Sequence, residues 1–201
     1  MSNIINTPLL DENELVSGLK KGQEEAYRIL VRRYQARLFN IAYGITLDRE
    51  ESAEIVQEVF LKVYSGIHSF EGKSKLYTWL RRIAVNQSLN WHRRWKRRFR
   101  IRHQPLENED TDTRMAPGTD EYGPESLYRK KELEKILNEE LNRLPEEARS
   151  VFILKELEGL SYDEIAKLLK IKKGTVSSRI FYARQKLRKS LSKLLDQEEN
   201  S

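Results

Sequence analysis

LEGLSYDEIAKLLKIKKGTVSSRIFYARQKLRK, residues 157–189, decides how this chain is read. Ser161 stands three residues before Glu164, the pairing of a capping box. Ile165, Ala166, Leu168 and Leu169 follow at helical spacing. A short turn is expected over Ile171–Gly174, and a second helix from about Thr175 with an inward stripe of Val176, Ile180, Ala183, Leu187 and Leu191. Two helices joined by a tight turn, the second fit for a DNA major groove, make a helix-turn-helix. At 100° per residue the outward face carries Ser177, Ser178, Phe181 and Gln185, with Arg184 and Arg188 beside it. Serine serves either kind of base edge and an exposed Phe can meet a thymine methyl. Lys172, Lys173, Arg184 and Arg188 suit phosphates. A solvated basic hairpin is the plainer alternative. Cap, turn, stripe and base-capable face coincide here, which favours DNA, with Lys173, Thr175, Ser177, Ser178, Phe181, Arg184 and Arg188 as the contacts.

Helical spacing extends in both directions from this module. Upstream, Leu133, Ile136, Leu137, Leu141 and Leu144 form one stripe. Pro145, Glu146 and Glu147 then suit a helix start, and Gly159 a stop after Glu158. In the first half, Asp11 with Glu14 opens a helix, and Ala26, Ile29, Leu30, Tyr34, Leu38, Ile41 and Ile45 step by three and four. Asp48 with Glu51 opens another, with a predicted stripe of Ala53, Val56, Phe60, Val63, Tyr64 and Ile67. SFEGKSK, residues 69–75, reads as a loop, and a further helix runs from about Leu76 into WHRRWKRRFRIRH, residues 91–103. No strand pattern occurs. The expected fold class is all-α: two small helical domains, residues 1–103 and 127–201, joined by a flexible acidic linker, residues 104–126, the second domain being the helix-turn-helix. The linker QPLENEDTDTRMAPGTDEYGPES carries three Pro and two Gly and too few apolar groups to offset the cost of ordering.

Charge is segregated along the chain. From Lys73 to His103 there are eleven Lys or Arg and no acid, whereas residues 104–126 hold seven acids and one base. With a formal net charge of +6, this fits a polyanionic partner. In the basic run Trp91, Trp95 and Phe99 step by four and read as a packing seam, with Arg93, Lys96, Arg97 and Arg100 on the other side. A face that is merely solvated would interleave acids for i,i+4 pairing. The chain has no Cys, which excludes disulfides, thiolate metal sites and a Cys nucleophile. Its first residues lack the basic n-region of a signal peptide, and the longest uncharged stretch, Leu38–Leu47, is too short for a bilayer.

Three segments together resemble the extracytoplasmic-function (ECF) sigma factors of bacterial RNA polymerase. LPEEARSVFILKELEGLSYDEIAKLLKIKKGTVSSRIFYARQKLRK is similar to their −35-reading domain. EIVQEVFLKVY, residues 54–64, resembles their core-binding helix, and LYTWLRRIAVNQSLNWHRR, residues 76–94, their −10-reading helix. The order and spacing also match, over nearly the whole chain. The resemblance implies a cytoplasmic, non-enzymatic factor that binds core RNA polymerase and reads −10 and −35 elements. Glu54, Gln57 and Glu58, at i, i+3 and i+4, would then dock on the clamp of the large polymerase subunit. Arg82, Asn86, Asn90, Arg93 and Arg97 would face the −10 element, Asn suiting adenine and Arg guanine or phosphate. The loop with Lys73 and Lys75 would hold an unstacked base. Tyr77 and Trp79 are stacking candidates, Trp79 being equally well a core residue. An anti-sigma factor is a further implied partner. No cofactor, metal, small-molecule substrate or membrane insertion is implied.

Two departures stand out. Housekeeping relatives carry a second Trp where this chain has Leu80, which implies stringent promoter choice and little spontaneous melting. Well-known ECF members read GTVRSRIFRAR where this chain reads GTVSSRIFYAR, so Ser177 and Tyr182 replace two arginines. Two other readings compete with a sigma factor. A helix-turn-helix regulator acting alone explains neither the EIVQEVF patch nor the acid-free basic helix. A helical metal-dependent nuclease would draw on Glu50, Glu54 and Glu58, but His68, His92 and His103 form no HExxH or Glu-x-x-His arrangement.

Overall fold

The structure, a computed structural model, describes residues 10–101 and 135–198, with side chains over 10–91, 135–190 and at 192. The expected linker, 104–126, lies outside the described residues, as do the side chains of Arg93, Trp95, Lys96, Arg97, Phe99, Arg100 and Leu191. Among the described residues every regular element is helical. The order is α1 (Glu12–Lys20), α2 (Glu24–Thr46), α3 (Arg49–Gly66), a 3-10 turn (Ile67–Ser69) and α4 (Leu76–Ile101). Then come α5 (135–142), α6 (Glu146–Glu156), α7 (Tyr162–Leu169) and α8 (Lys173–Glu198).

Local chemistry sets several of these boundaries. Asp11 accepts from the Glu14 amide at 2.7 Å, and Glu14 accepts back from the Asp11 amide at 3.0 Å, so α1 opens on a complete capping box. Asp48 caps α3 through the Glu51 amide at 2.9 Å. The start of α4 is met from a distant helix. Its first amide, of Leu76, donates to Glu12 Oε1 on α1 at 2.8 Å, so an acid distant in sequence meets the positive end of the helix dipole.

A first core gathers Leu15 and Leu19 of α1, Leu30 and Leu38 of α2, Val59 and Val63 of α3, and Leu76, Leu80 and Ala84 of α4. Each large apolar side chain so buried contributes roughly 1.5–3 kcal/mol. The buried face of α3 is rotated from the expected stripe. Ile55 and Val59 lie inside, Ala53 is exposed, and Tyr64 is 66% exposed. Tyr64 rests on the Tyr27 ring at 5.2 Å between centroids, an aromatic contact at the rim that periodicity alone reads as core. A second core joins Leu141, Leu144, Ala148 and Ile153 to Ala183 and Leu187.

The helix-turn-helix departs from expectation at its turn. Lys170 takes the left-handed conformation at φ 56°, and α8 begins at Lys173. Gly174 is therefore inside the first helical turn rather than at the bend. Its Cβ position meets open space.

Candidate nucleic-acid interface

The α8 stripe Val176, Ile180, Ala183 and Leu187 is buried, which fixes the opposite face outward. Ser177, Ser178, Gln185 and Arg188 are exposed, Phe181 is 69% exposed and Thr175 is half-buried. Two acids brace this face. Glu156 Oε1 accepts from Arg184 Nε at 3.1 Å and Nη2 at 2.6 Å, a forked pair that holds the guanidinium in one orientation. This bond and charge also raise the Arg184 pKa above its ordinary value. Lys173 Nζ lies 2.8 Å from Asp163 Oδ2.

On α4, Leu80, Ala84, Val85, Gln87 and Ser88 are buried, while Arg82, Asn86 and Asn90 are exposed on one line. Lys73 and Lys75 are exposed in the preceding loop, where Lys73 pairs with Glu71. Trp79 is half-buried, with its ring centroid 5.3 Å from that of Phe70 against the first core. Tyr77 stacks on Tyr34 at 5.7 Å. On α3, Glu54, Gln57 and Glu58 are exposed together, and Glu58 also accepts from Gln87 Nε2 of α4. Glu58 thus ties the acidic patch to the basic helix.

The two exposed faces map onto two known families of domain. The family model "Sigma-70 region 2" matches residues 30–98, and "Sigma-70, region 4" matches residues 134–187. The ECF RNA polymerase sigma-E factor of Haemophilus influenzae is 36% identical over 189 residues, covering 92% of this chain and 98% of that protein. The chain belongs to the ECF sigma factors. The Escherichia coli sigma-E factor is 35% identical, and the RNA polymerase sigma-H factor of Pseudomonas aeruginosa 34%; each covers 92% of this chain, and 97% and 95% of their own lengths are matched. The fold is shared with the sigma factor RpoE of Bartonella quintana, solved with the anti-sigma factor NepR. That likeness has a TM-score of 0.62 at 23% identity, covering 83% of this chain and 96% of that one. ECF sigma factors are initiation factors, not enzymes: they bind core RNA polymerase and direct it to promoters. Among the described residues no helix is long and apolar enough to cross a membrane.

In this sigma factor regions 2 and 4 pack on one another. Ile41 and Ile45 of α2 and Val85 of α4 share a core with Val151 and Leu154 of α6, Ile165 of α7 and Val176 and Ile180 of α8. Gly44 makes the approach possible, since a Cβ there would lie 2.8 Å from Ile153 Cδ1. Arg149 of α6 is buried, and its Nη2 and Nε donate to the Ile45 carbonyl at 2.9 and 3.1 Å. Its charge meets the negative end of the α2 dipole. Burial lowers its pKa from the ordinary value, against the opposing pull of Glu146 and Glu147. Glu158 Oε2 accepts from Tyr77 Oη at 2.6 Å and lies 3.5 Å from Arg81 Nη1 and 3.9 Å from Arg37 Nη2. Burial, reinforced by Glu158, pushes the Tyr77 phenol well above its usual range, so it stays a donor. None of Gly44, Arg149, Glu158, Arg37 or Arg81 is singled out by the sequence reading. The one local signal is an Arg amid the apolar run ARSVFIL.

Proposed function

We propose that residues 1–103 form the region 2 domain and 127–201 the region 4 domain of a cytoplasmic ECF sigma factor, joined by the acidic linker 104–126. Glu54, Gln57 and Glu58 dock on the clamp of the large subunit of core polymerase. Arg82, Asn86 and Asn90, continued by Arg93 and Arg97, read the −10 element, assisted by Lys73, Lys75, Tyr77 and Trp79. Lys173, Thr175, Ser177, Ser178, Phe181, Arg184 and Arg188 read the −35 element. The chain has no catalytic role of its own. The observation that carries this reading is the exposed line of base-capable Arg82, Asn86 and Asn90 on a helix continuing into an acid-free basic run. An anti-sigma factor is the expected regulator, by analogy with the relative solved with NepR.

The test is docking on core polymerase. Glu54→Arg with Gln57→Ala changes two exposed residues and spares Glu58, whose bond to Gln87 serves the fold. The variant is expected to fold normally and to lose most of its co-purification with core. Recovery at the wild-type level would overturn the docking assignment.

A further inference from the structure

We propose that Arg37, Tyr77 and Arg81 form a phosphate site on region 2, filled here by the Glu158 carboxylate and open to a promoter phosphodiester when regions 2 and 4 part. The inference rests on the reading of α4 as the promoter-facing helix.

All three donors belong to region 2, where ring contacts link them to one another. Tyr77 stacks on Tyr34 of α2, and the Arg37 guanidinium carbon lies 3.8 Å from the Tyr77 ring centroid. Arg81 is one helical turn beyond Tyr77 on the same face of α4, its guanidinium carbon 5.6 Å from that ring. These ring contacts lie within region 2 and do not involve Glu158. Region 4 supplies the anion, Glu158. Its side chain is 3% exposed, and all three donors converge on one oxygen, Oε2. Buried Arg81 Nε has no hydrogen-bond partner. The site thus offers one donor more than Glu158 uses. A phosphodiester, with two non-bridging oxygens, can engage the guanidinium fork and the phenol together, whereas Glu158 presents a single oxygen to all three donors.

The setting favours nucleic acid over a protein carboxylate. Arg81 adjoins exposed Arg82 on α4, and no acid interrupts the sequence from Lys73 to His103. A phosphate seated between Arg37 and Arg81 would lie beside the line of Arg82, Asn86 and Asn90, where it fixes register while the neighbouring face reads bases.

The experiment measures promoter binding by holoenzyme across a salt series. Arg37→Gln with Arg81→Gln empties the single phosphate site, and is expected to weaken binding and to flatten the log–log salt slope by about 0.9, the value for one phosphate contact. Arg81 is nearly buried, so Tyr77→Phe serves as a second variant that keeps the ring. It is expected to weaken binding two- to tenfold. Glu158→Gln removes the competitor and is expected to bind at least as tightly as the wild type with an unchanged slope. An unchanged slope in the double Arg variant overturns the site, and so does weaker binding by Glu158→Gln, which would make Glu158 a brace of the complex. Loss of core affinity with promoter slope intact would assign the site to a protein carboxylate and equally overturn it. If wild-type holoenzyme forms no promoter complex, the reading of α4 fails, and the site with it.

Discussion

Ser177 and Tyr182 stand where well-known relatives carry arginine, and both are exposed on α8. On the proposed reading of α8, each absent arginine is one potential guanine or phosphate contact fewer, worth about 1–3 kcal/mol where it would pair bidentately with a base. The −35 preference is therefore expected to differ at one or two base pairs from the usual GGAAC-type element, with Ser178 and Phe181 retaining part of it. Ser177→Arg with Tyr182→Arg is expected to shift selection from a randomised promoter pool toward the common element. Identical winning sequences would show that these two positions do not set specificity. The α8 face was legible because burial of Val176, Ile180 and Ala183 leaves Ser177 and Phe181 only one direction to point. Tyr77 was not legible in the same way. Its aromatic character marks it for stacking, yet its ring lies against Tyr34 and Arg37 while its hydroxyl serves Glu158.

Among the elements, α7 shows how far local chemistry reaches. Ser161 Oγ accepts from the Glu164 amide at 3.2 Å, and Glu164 Oε2 accepts from the Ser161 amide at 2.8 Å. Ser161→Ala is expected to cost about 1 kcal/mol, within 0.5–2, read as a lowered urea midpoint at unchanged slope. The Ser161 hydroxyl and amide hold the Glu164 pKa below its ordinary value. A depressed carboxylate stabilises the fold above its unfolded pKa and loses that contribution as pH falls through the folded one. The cap is therefore expected to weaken only on acidification through the carboxylate range. Capping pairs of this kind were readable in sequence because donor and acceptor are three residues apart. The start of α4 was not, because its partner Glu12 lies on another helix. The rotated face of α3 was missed for a related reason. Tyr64 fits the apolar period, but packing against Tyr27 satisfies it at the rim and leaves Ile55 and Val59 to fill the core.

At the scale of the whole molecule, the two domains share a core in a way that reading two promoter elements does not permit. Elements about 25 base pairs apart are separated by roughly 85 Å of helix axis at 3.4 Å per base pair. On the proposed reading of both elements, the junction at Gly44 and Arg149 is therefore expected to open on a promoter. Gly44→Leu drives a side chain into Ile153, the nearest neighbour of its Cβ position. The chain has no Cys, so dyes at Ser65→Cys and Lys189→Cys, both exposed positions, report the separation cleanly. Energy transfer between the dyes is expected to be lower with Gly44→Leu than with Gly44 intact; equal transfer in both would show that the close approach at Gly44 does not hold the junction. The sequence by itself determined the helices, the helix-turn-helix, the charge segregation and the family, because periodicity, caps and charge runs act over a few residues. Only the tertiary structure decided that Arg149 meets the end of α2 and that Glu158 sits among Arg37, Tyr77 and Arg81. Those contacts join residues about 80 to 120 positions apart across two domains, and their geometry exists only once both domains have folded and packed.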